Sequence, residues 1–365
     1  MNLKIGIVGL PNIGKSTLFS LLTKKAANIN NYPFATIDPS VAVCEVFNEK
    51  LDHLQKIFNA KKKVYNYIEF IDIAGLIKGA SEGKGLGNKF LSHISECNAI
   101  ALVIRFFPSK DVLHVENSIN PIRDFEDLTF ELVLSDLKKC EDNFFKVENK
   151  WKKNQHLPQL KEKKDALKKA LSFLKDGKLL NQINFSEKEL ENIKEYNFLS
   201  LKKFFIVGNV DYLKRSKALE REFLNKTQNY HFFTIFVDFK TEYDLASIEN
   251  EEDLNFMMKE FSLKKLNYFE ILNLGIKVLN IEFFFTCGAN EVRAWNFTKG
   301  STAKQCAFLI HTDIGDNFIK AKRSNYNLVK NCHSEKEIEE KNLFSFVGRD
   351  YIVQQDDILF FLFKK

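Results

Sequence analysis

Three features of the sequence predict an α/β protein with a helical insertion and a small C-terminal sheet domain. First, the apolar run Leu3–Val8 leads into a glycine-bounded turn. A helix-period run follows, with Leu18, Leu21 and Leu22 on one face. Second, from Leu128 apolar residues recur at three- and four-residue steps over two long stretches. Third, from about Ile281 the pattern shortens to alternating apolar strands around a single helix. The expected organisation is a discontinuous sheet domain flanked by helices at 1–127 and 200–280, a coiled-coil insertion at 128–199, and a β-grasp module at 281–365.

The totals fit two or three domains in a 365-residue chain. No uncharged apolar run approaches the roughly 20 residues needed to span a bilayer, so no membrane is expected. The N-terminus reads as a core strand and not as a signal peptide. Cys44, Cys97, Cys140, Cys287, Cys306 and Cys332 form no C-x-x-C pair and read as reduced thiols. These features together predict a cytoplasmic location. Between Lys138 and Lys169 there are 11 lysines against 5 acids, so the whole net charge of +6 sits there and the remaining 43 basic and 43 acidic residues cancel. A basic helical arm suits contact with nucleic-acid phosphates; a solvated lysine face is the alternative.

The turn after the first strand is Gly9-Leu10-Pro11-Asn12-Ile13-Gly14-Lys15-Ser16-Thr17, which fits G-x-x-x-x-G-K-[ST], the phosphate-binding loop (P-loop). The chemistry requires these residue types. Gly9 and Gly14 let backbone N–H groups curl around phosphate oxygens at a helix N-terminus. Lys15 can reach the β- and γ-phosphates, and the Ser16 hydroxyl can bind Mg²⁺. The segment Asn31–Pro39 holds two prolines and reads as a loop. In P-loop switch proteins a threonine here closes over Mg²⁺, which makes Thr36 the candidate; a plain surface turn is the alternative.

The strand Tyr67–Ile71 ends in Asp72-Ile73-Ala74-Gly75, so Asp72 suits a Mg²⁺-holding role and Gly75 an N–H donor to the γ-phosphate. Gly79, Gly83, Gly85 and Gly87 follow, as expected of a segment that orders on binding phosphate. The residue after Gly75 is Leu76, which cannot orient a water as the glutamine of Ras-like proteins does. Either hydrolysis is slow or another group positions the water. A further strand, Ala99–Phe107, leads to His114, which reads as a solvated loop residue or as a catalytic group. Helix-period residues Phe130 to Trp151 and Leu160 to Leu174, broken at Gln155–Pro158, predict an antiparallel hairpin. Ser186–Glu189 is a capping box opening another helix. The sheet resumes at Phe204–Val207 and Thr234–Val237. Strands are expected at Glu282–Thr286, Val292–Phe297, Phe318–Lys322, Asp350–Val353 and Ile358–Phe363, with a helix near Ala303–Thr312.

Taken together, Gly9–Thr17, Asn31–Pro39, Asp72–Ser81, Gly85–Phe90, Glu291–Trp295, His311–Asp313 and Gly348–Val353 closely resemble the YchF, or Obg-like ATPase, family, and the resemblance runs from end to end. It implies an Obg-type nucleotide domain, a coiled-coil insertion and a C-terminal TGS domain. It further implies ribosome binding, on the large subunit through rRNA contacts of the basic insertion, by a monomer that uses ATP at least as well as GTP. In this reading the nucleotide contacts are Asn12, Ile13, Gly14, Lys15, Ser16, Thr17, Gly75, Asn209 and Val210. Mg²⁺ is held by Ser16, Thr36 and Asp72, and Lys15 and His114 are catalytic. Asn12 matches the loop asparagine that helps bind K⁺ in potassium-requiring relatives. The chain departs from the family where its N-x-x-E base-reading motif becomes Asn209-Val210-Asp211-Tyr212, and in the last base-contacting loop, Val237–Thr241. Rival readings are a strict GTPase switch, a P-loop kinase for a small acceptor, and an RNA-binding protein with a vestigial nucleotide site. The D-x-A-G segment and the missing arginine-rich lid count against the kinase.

Overall fold

The structure is a computed structural model that describes residues 3–26, 40–73, 92–108 and 118–364. It divides into two compact units, one of residues 4–42 and 69–275, the other of 1–3, 43–68 and 276–365. The α/β class with a long helix and a C-terminal sheet is as the sequence predicts.

One sheet has six strands in the order β2-β4-β1-β5-β6-β7. These are β1 (Leu3–Val8), β2 (Val41–Val46), β4 (Asn66–Asp72), β5 (Ala99–Arg105), β6 (Lys203–Asn209) and β7 (Phe233–Val237). The pairs β1–β5, β5–β6 and β6–β7 are parallel, and the register sets Arg105 beside Asn209 and Asn209 beside Val237. All seven residues of β5 are buried, as a central parallel strand covered on both faces requires. Helix α1 (Lys15–Ala26) buries Leu18, Leu21 and Leu22, the three residues its periodicity singles out.

The insertion is a helical hairpin. Helix α3 (Pro121–Lys153) starts at Asn120, whose side chain accepts from Arg123 N, and carries proline in its first turn. Helix α4 (Pro158–Lys175) returns after a short break and also opens on proline. Val133, Cys140 and Val147 of α3 pack with Ala166, Leu167, Ala170 and Leu174 of α4 in a core of their own. Phe130, expected on the packed face, is 52% exposed. The helix α5 (Glu187–Ile193) has both bonds of the predicted capping box. Asp136 of α3 is fully buried and accepts from Leu199 N (2.9 Å), Ser200 N (2.7 Å) and Ser200 Oγ (2.6 Å), which ties the hairpin to the chain leading into β6. The helices α6 (Lys217–Thr227), α7 (Phe239–Leu245), α8 (Glu251–Glu260) and α9 (Tyr268–Leu279) complete the first half of the molecule.

The second sheet has the order β11-β10-β12-β8-β9-β3, built from β3 (Lys62–Val64), β8 (Ile281–Cys287), β9 (Glu291–Thr298), β10 (Phe318–Asn325), β11 (Ser345–Val347) and β12 (Asp357–Phe363). Successive residues of its strands serve opposite faces, as a two-residue side-chain period dictates. Phe285 and Ile358 enter a core with Leu51, Leu54 and Ile57 of helix α2 (Glu49–Ile57). Phe284 and Leu359 enter another with Ala303 and Cys306 of helix α10 (Ala303–Ile310). Strand β2, helix α2 and strand β3 are elements the sequence pattern does not announce. The expected strand at Asp350–Val353 is only an isolated bridge between Ile352 and Thr302. Its backbone bonds go to the residues that open α10, Ala303 N to Tyr351 O at 2.8 Å and Val353 N to Ser301 O at 3.0 Å, so its partner is a helix start and not a strand, while the Tyr351 hydroxyl donates to buried Asp357 at 2.8 Å. All six cysteines are buried and free. No helix among the described residues is long and apolar enough to cross a membrane.

Candidate nucleotide-binding site

The P-loop joins β1 to α1. A Cβ at Gly9 would lie 2.2 Å from Ile13 Cδ1 and 2.7 Å from Val103 O. One at Gly14, whose φ is +97°, would lie 2.3 Å from Asn209 Nδ2. Both glycines are therefore required by close approach, and Gly14 by backbone conformation as well. Asn12 also takes a left-handed φ of 60°.

Lys15 is 8% exposed, and its Nζ donates to Leu10 O at 2.7 Å, curling over the loop it belongs to. Burial lowers its pKa to about 8, against the opposing pull of the Asp72 carboxylate. Asp72 ends β4, with its N–H on Ser40 O at 2.9 Å. Its carboxyl is pushed upward by burial and pulled back by Lys15. Asp72 Oδ1 is buried and has no hydrogen-bond partner among the described residues. An unpaired buried carboxylate oxygen beside a P-loop suits a cation or its water shell. Ser16 is exposed and Thr17 half-buried at the start of α1. Thr36, Gly75 and His114 lie outside the described residues.

Asn209 and Val210 come to the loop from β6. Asn209 Nδ2 donates to Ile13 O at 2.9 Å, and its Oδ1 accepts from Phe239 N at 3.3 Å. Val210 is buried, with its N–H on Val237 O. Sequence reasoning missed Arg105, a guanidinium 1% exposed at the end of β5, whose Nη1 donates to Asn12 O at 3.3 Å. The available signal was a lone cation closing an otherwise apolar strand.

Residues 4–136 match a family described as 50S ribosome-binding GTPase, and residues 281–364 match the YchF-GTPase C-terminal family, described as a protein of unknown function. The chain is 38% identical over 364 residues to the ribosome-binding ATPase YchF of Buchnera aphidicola (strain APS), covering 100% of this chain and 99% of that one. It is 37% identical over 367 residues to the protein of that name from Escherichia coli O157:H7, with the same coverage. The solved structure of the Schizosaccharomyces pombe YchF GTPase superposes with a TM-score of 0.86 at 30% identity, covering 99% of this chain and 98% of that one. The chain belongs to the YchF family.

Tyr212 lies three residues after Asn209, where the sequence resemblance leads one to expect a glutamate. The Tyr212 hydroxyl donates to Glu242 Oε1 and accepts from Asn267 Nδ2, both at 2.9 Å. Fully buried Glu242 also accepts the N–H of Asn267 (2.9 Å) and of Tyr268 (3.4 Å). Burial raises the pKa of both Tyr212 and Glu242. Asp238 accepts from Tyr212 N at 3.0 Å, Thr241 N at 3.0 Å and Thr241 Oγ1 at 2.8 Å. Asp211 Oδ1 caps its own turn through Leu213 N and Lys214 N.

Proposed function

We propose that this chain binds ATP with Mg²⁺, hydrolyses it slowly, and uses the bound state as a conformational switch on the ribosome. The observation that carries this reading is the complete P-loop, with buried Lys15 curled over it and biased by the Asp72 carboxylate, whose Oδ1 has no partner among the described residues. The named activity of the relatives supports it. Lys15 neutralises the β- and γ-phosphates, and loop N–H groups from Ile13 to Thr17 hold their oxygens. Ser16, Thr36 and Asp72 would hold Mg²⁺, which offsets charge developing on the transferred phosphoryl group. Asn12 would help bind K⁺. Gly75 donates to the γ-phosphate, and His114 positions the attacking water in place of the glutamine that Leu76 displaces.

ATP is favoured over strict GTP use because guanine needs an acceptor for two N–H donors. Asp238 and Glu242 already spend their oxygens on protein donors. The protein acts as a monomer. The lysine-rich α3–α4 hairpin meets rRNA of the large subunit, and the C-terminal sheet domain is a second contact.

Calorimetric titration with non-hydrolysable ATP and GTP analogues, in Mg²⁺ and K⁺, tests the reading. Tighter ATP binding is expected, abolished by Lys15→Ala. Tighter GTP binding would withdraw the ATPase assignment. His114→Ala should slow turnover with little change in affinity, and an unchanged rate removes His114 from the mechanism.

A further inference from the structure

A loop that binds phosphate through its N–H groups turns carbonyl oxygens away from the anion, and each such oxygen needs a donor of its own. Gly14 O takes the helical Leu18 N, and three other carbonyls of this loop take side-chain donors. Leu10 O takes Lys15 Nζ, Ile13 O takes Asn209 Nδ2, and Asn12 O takes Arg105 Nη1. Arg105 and Asn209 are register partners on β5 and β6, so two neighbouring strand ends hold two consecutive loop carbonyls. Arg105 is itself held. Its Nε donates to Phe107 O at 3.0 Å, and its guanidinium carbon lies 4.4 Å from the centre of the Phe107 ring. The Asp124 carboxylate at the start of α3 supports its charge against burial. The peptide it grips belongs to a residue with φ of 60°, a left-handed conformation that few non-glycine residues adopt and that asparagine tolerates as a single residue.

We infer that Arg105 is a positioning residue for the phosphate loop, fixing the Asn12 peptide so that the N–H groups after it face the bound phosphates. The inference rests on the nucleotide-binding reading above and adds a residue to it. A guanidinium suits the task because its planar fork serves two carbonyls at once while stacking on an aromatic ring; an ammonium is a single point of donors. Arg105 touches no reacting atom in this role, so its removal weakens phosphate binding and spares the chemical step.

The test is titration of full-length wild type, Arg105→Met and Arg105→Lys with a non-hydrolysable ATP analogue and Mg²⁺, alongside kcat, KM and melting temperature. The methionine variant is expected to bind at least tenfold more weakly, with KM raised in step and kcat within about threefold of wild type. The lysine variant should fall between the two, at least about threefold weaker than wild type. A folded methionine variant with wild-type affinity overturns the inference, whatever its melting temperature. If that variant does not fold, the lysine variant decides: wild-type affinity overturns the inference and the threefold loss supports it. Wild-type protein that binds no nucleotide refutes the proposed function itself, and this inference with it.

Discussion

At the scale of single residues, the site is governed by burial acting on charge. Lys15 titrates near 8 because desolvation disfavours its ammonium, and a bound phosphate would reverse that by stabilising the charged form. ATP affinity is therefore expected to be flat below about pH 8 and to fall as pH rises above it, by up to about tenfold per unit. Titrations between pH 7 and 9.5 check this, and an affinity independent of pH would contradict it. In the free protein the same shift works oppositely. Between about 8 and 10.5 the unfolded chain binds more protons than the native one, so Lys15 makes the native state more stable as pH rises through that window. Lys15→Ala removes this effect and the phosphate contact together. Its nucleotide affinity should drop at least about a hundredfold, the loss of more than one charge-assisted hydrogen bond.

At the scale of elements, the insertion is anchored at one buried carboxylate. Asp136→Ala removes three hydrogen bonds and leaves the N–H groups of Leu199 and Ser200 orphaned. The expected cost is about 3 kcal/mol, read as a lower urea midpoint. Ser200→Ala removes only the hydroxyl bond and should cost about 1 kcal/mol. Equal costs would show that the backbone bonds do not matter. Desolvation raises the Asp136 carboxyl to about 6 in the native state, so the part of its contribution that depends on protonation is fully present below about pH 4 and is lost as pH rises through 6, while the three hydrogen bonds still favour the native state above that. The hairpin's lysines act differently, through the summed field of many exposed charges. Replacing Lys150, Lys152 and Lys153 with glutamine should reduce the salt slope of rRNA-fragment binding by about one unit for each phosphate no longer neutralised. An unchanged slope would leave that face merely solvated.

At the scale of the whole molecule, chain order and spatial order part company between residues 43 and 68. Leu51, Leu54 and Ile57 of α2 share a core with Phe285, Val292 and Ile358, more than two hundred positions away. Removing residues 281–365 would strip the cover from that helix. Such a truncation should bind a hydrophobic dye strongly and lose stability in residues 43–68, seen as rapid amide exchange there. Protection equal to the full chain would contradict this. Leu54→Ala, in the intact protein, should cost about 2–5 kcal/mol by opening a cavity in the same core.

What the sequence by itself determined lies in features whose physics is local. Gly9, Gly14 and Lys15 are legible because a phosphate loop needs particular dihedrals and one cation at fixed spacing. The hairpin is legible because a helix repeats its apolar face every three or four residues, and the capping box at Ser186 because it closes within four. Tertiary structure alone decided what depends on residues far apart in the chain. Nothing near Arg105 says that it will meet the Asn12 carbonyl, and nothing near Asn209 says that it will brace Ile13. Helix α2 and strand β3 join the C-terminal sheet, and Asp350–Val353 leaves it, because cores and hydrogen bonds are completed by partners that sequence spacing does not encode.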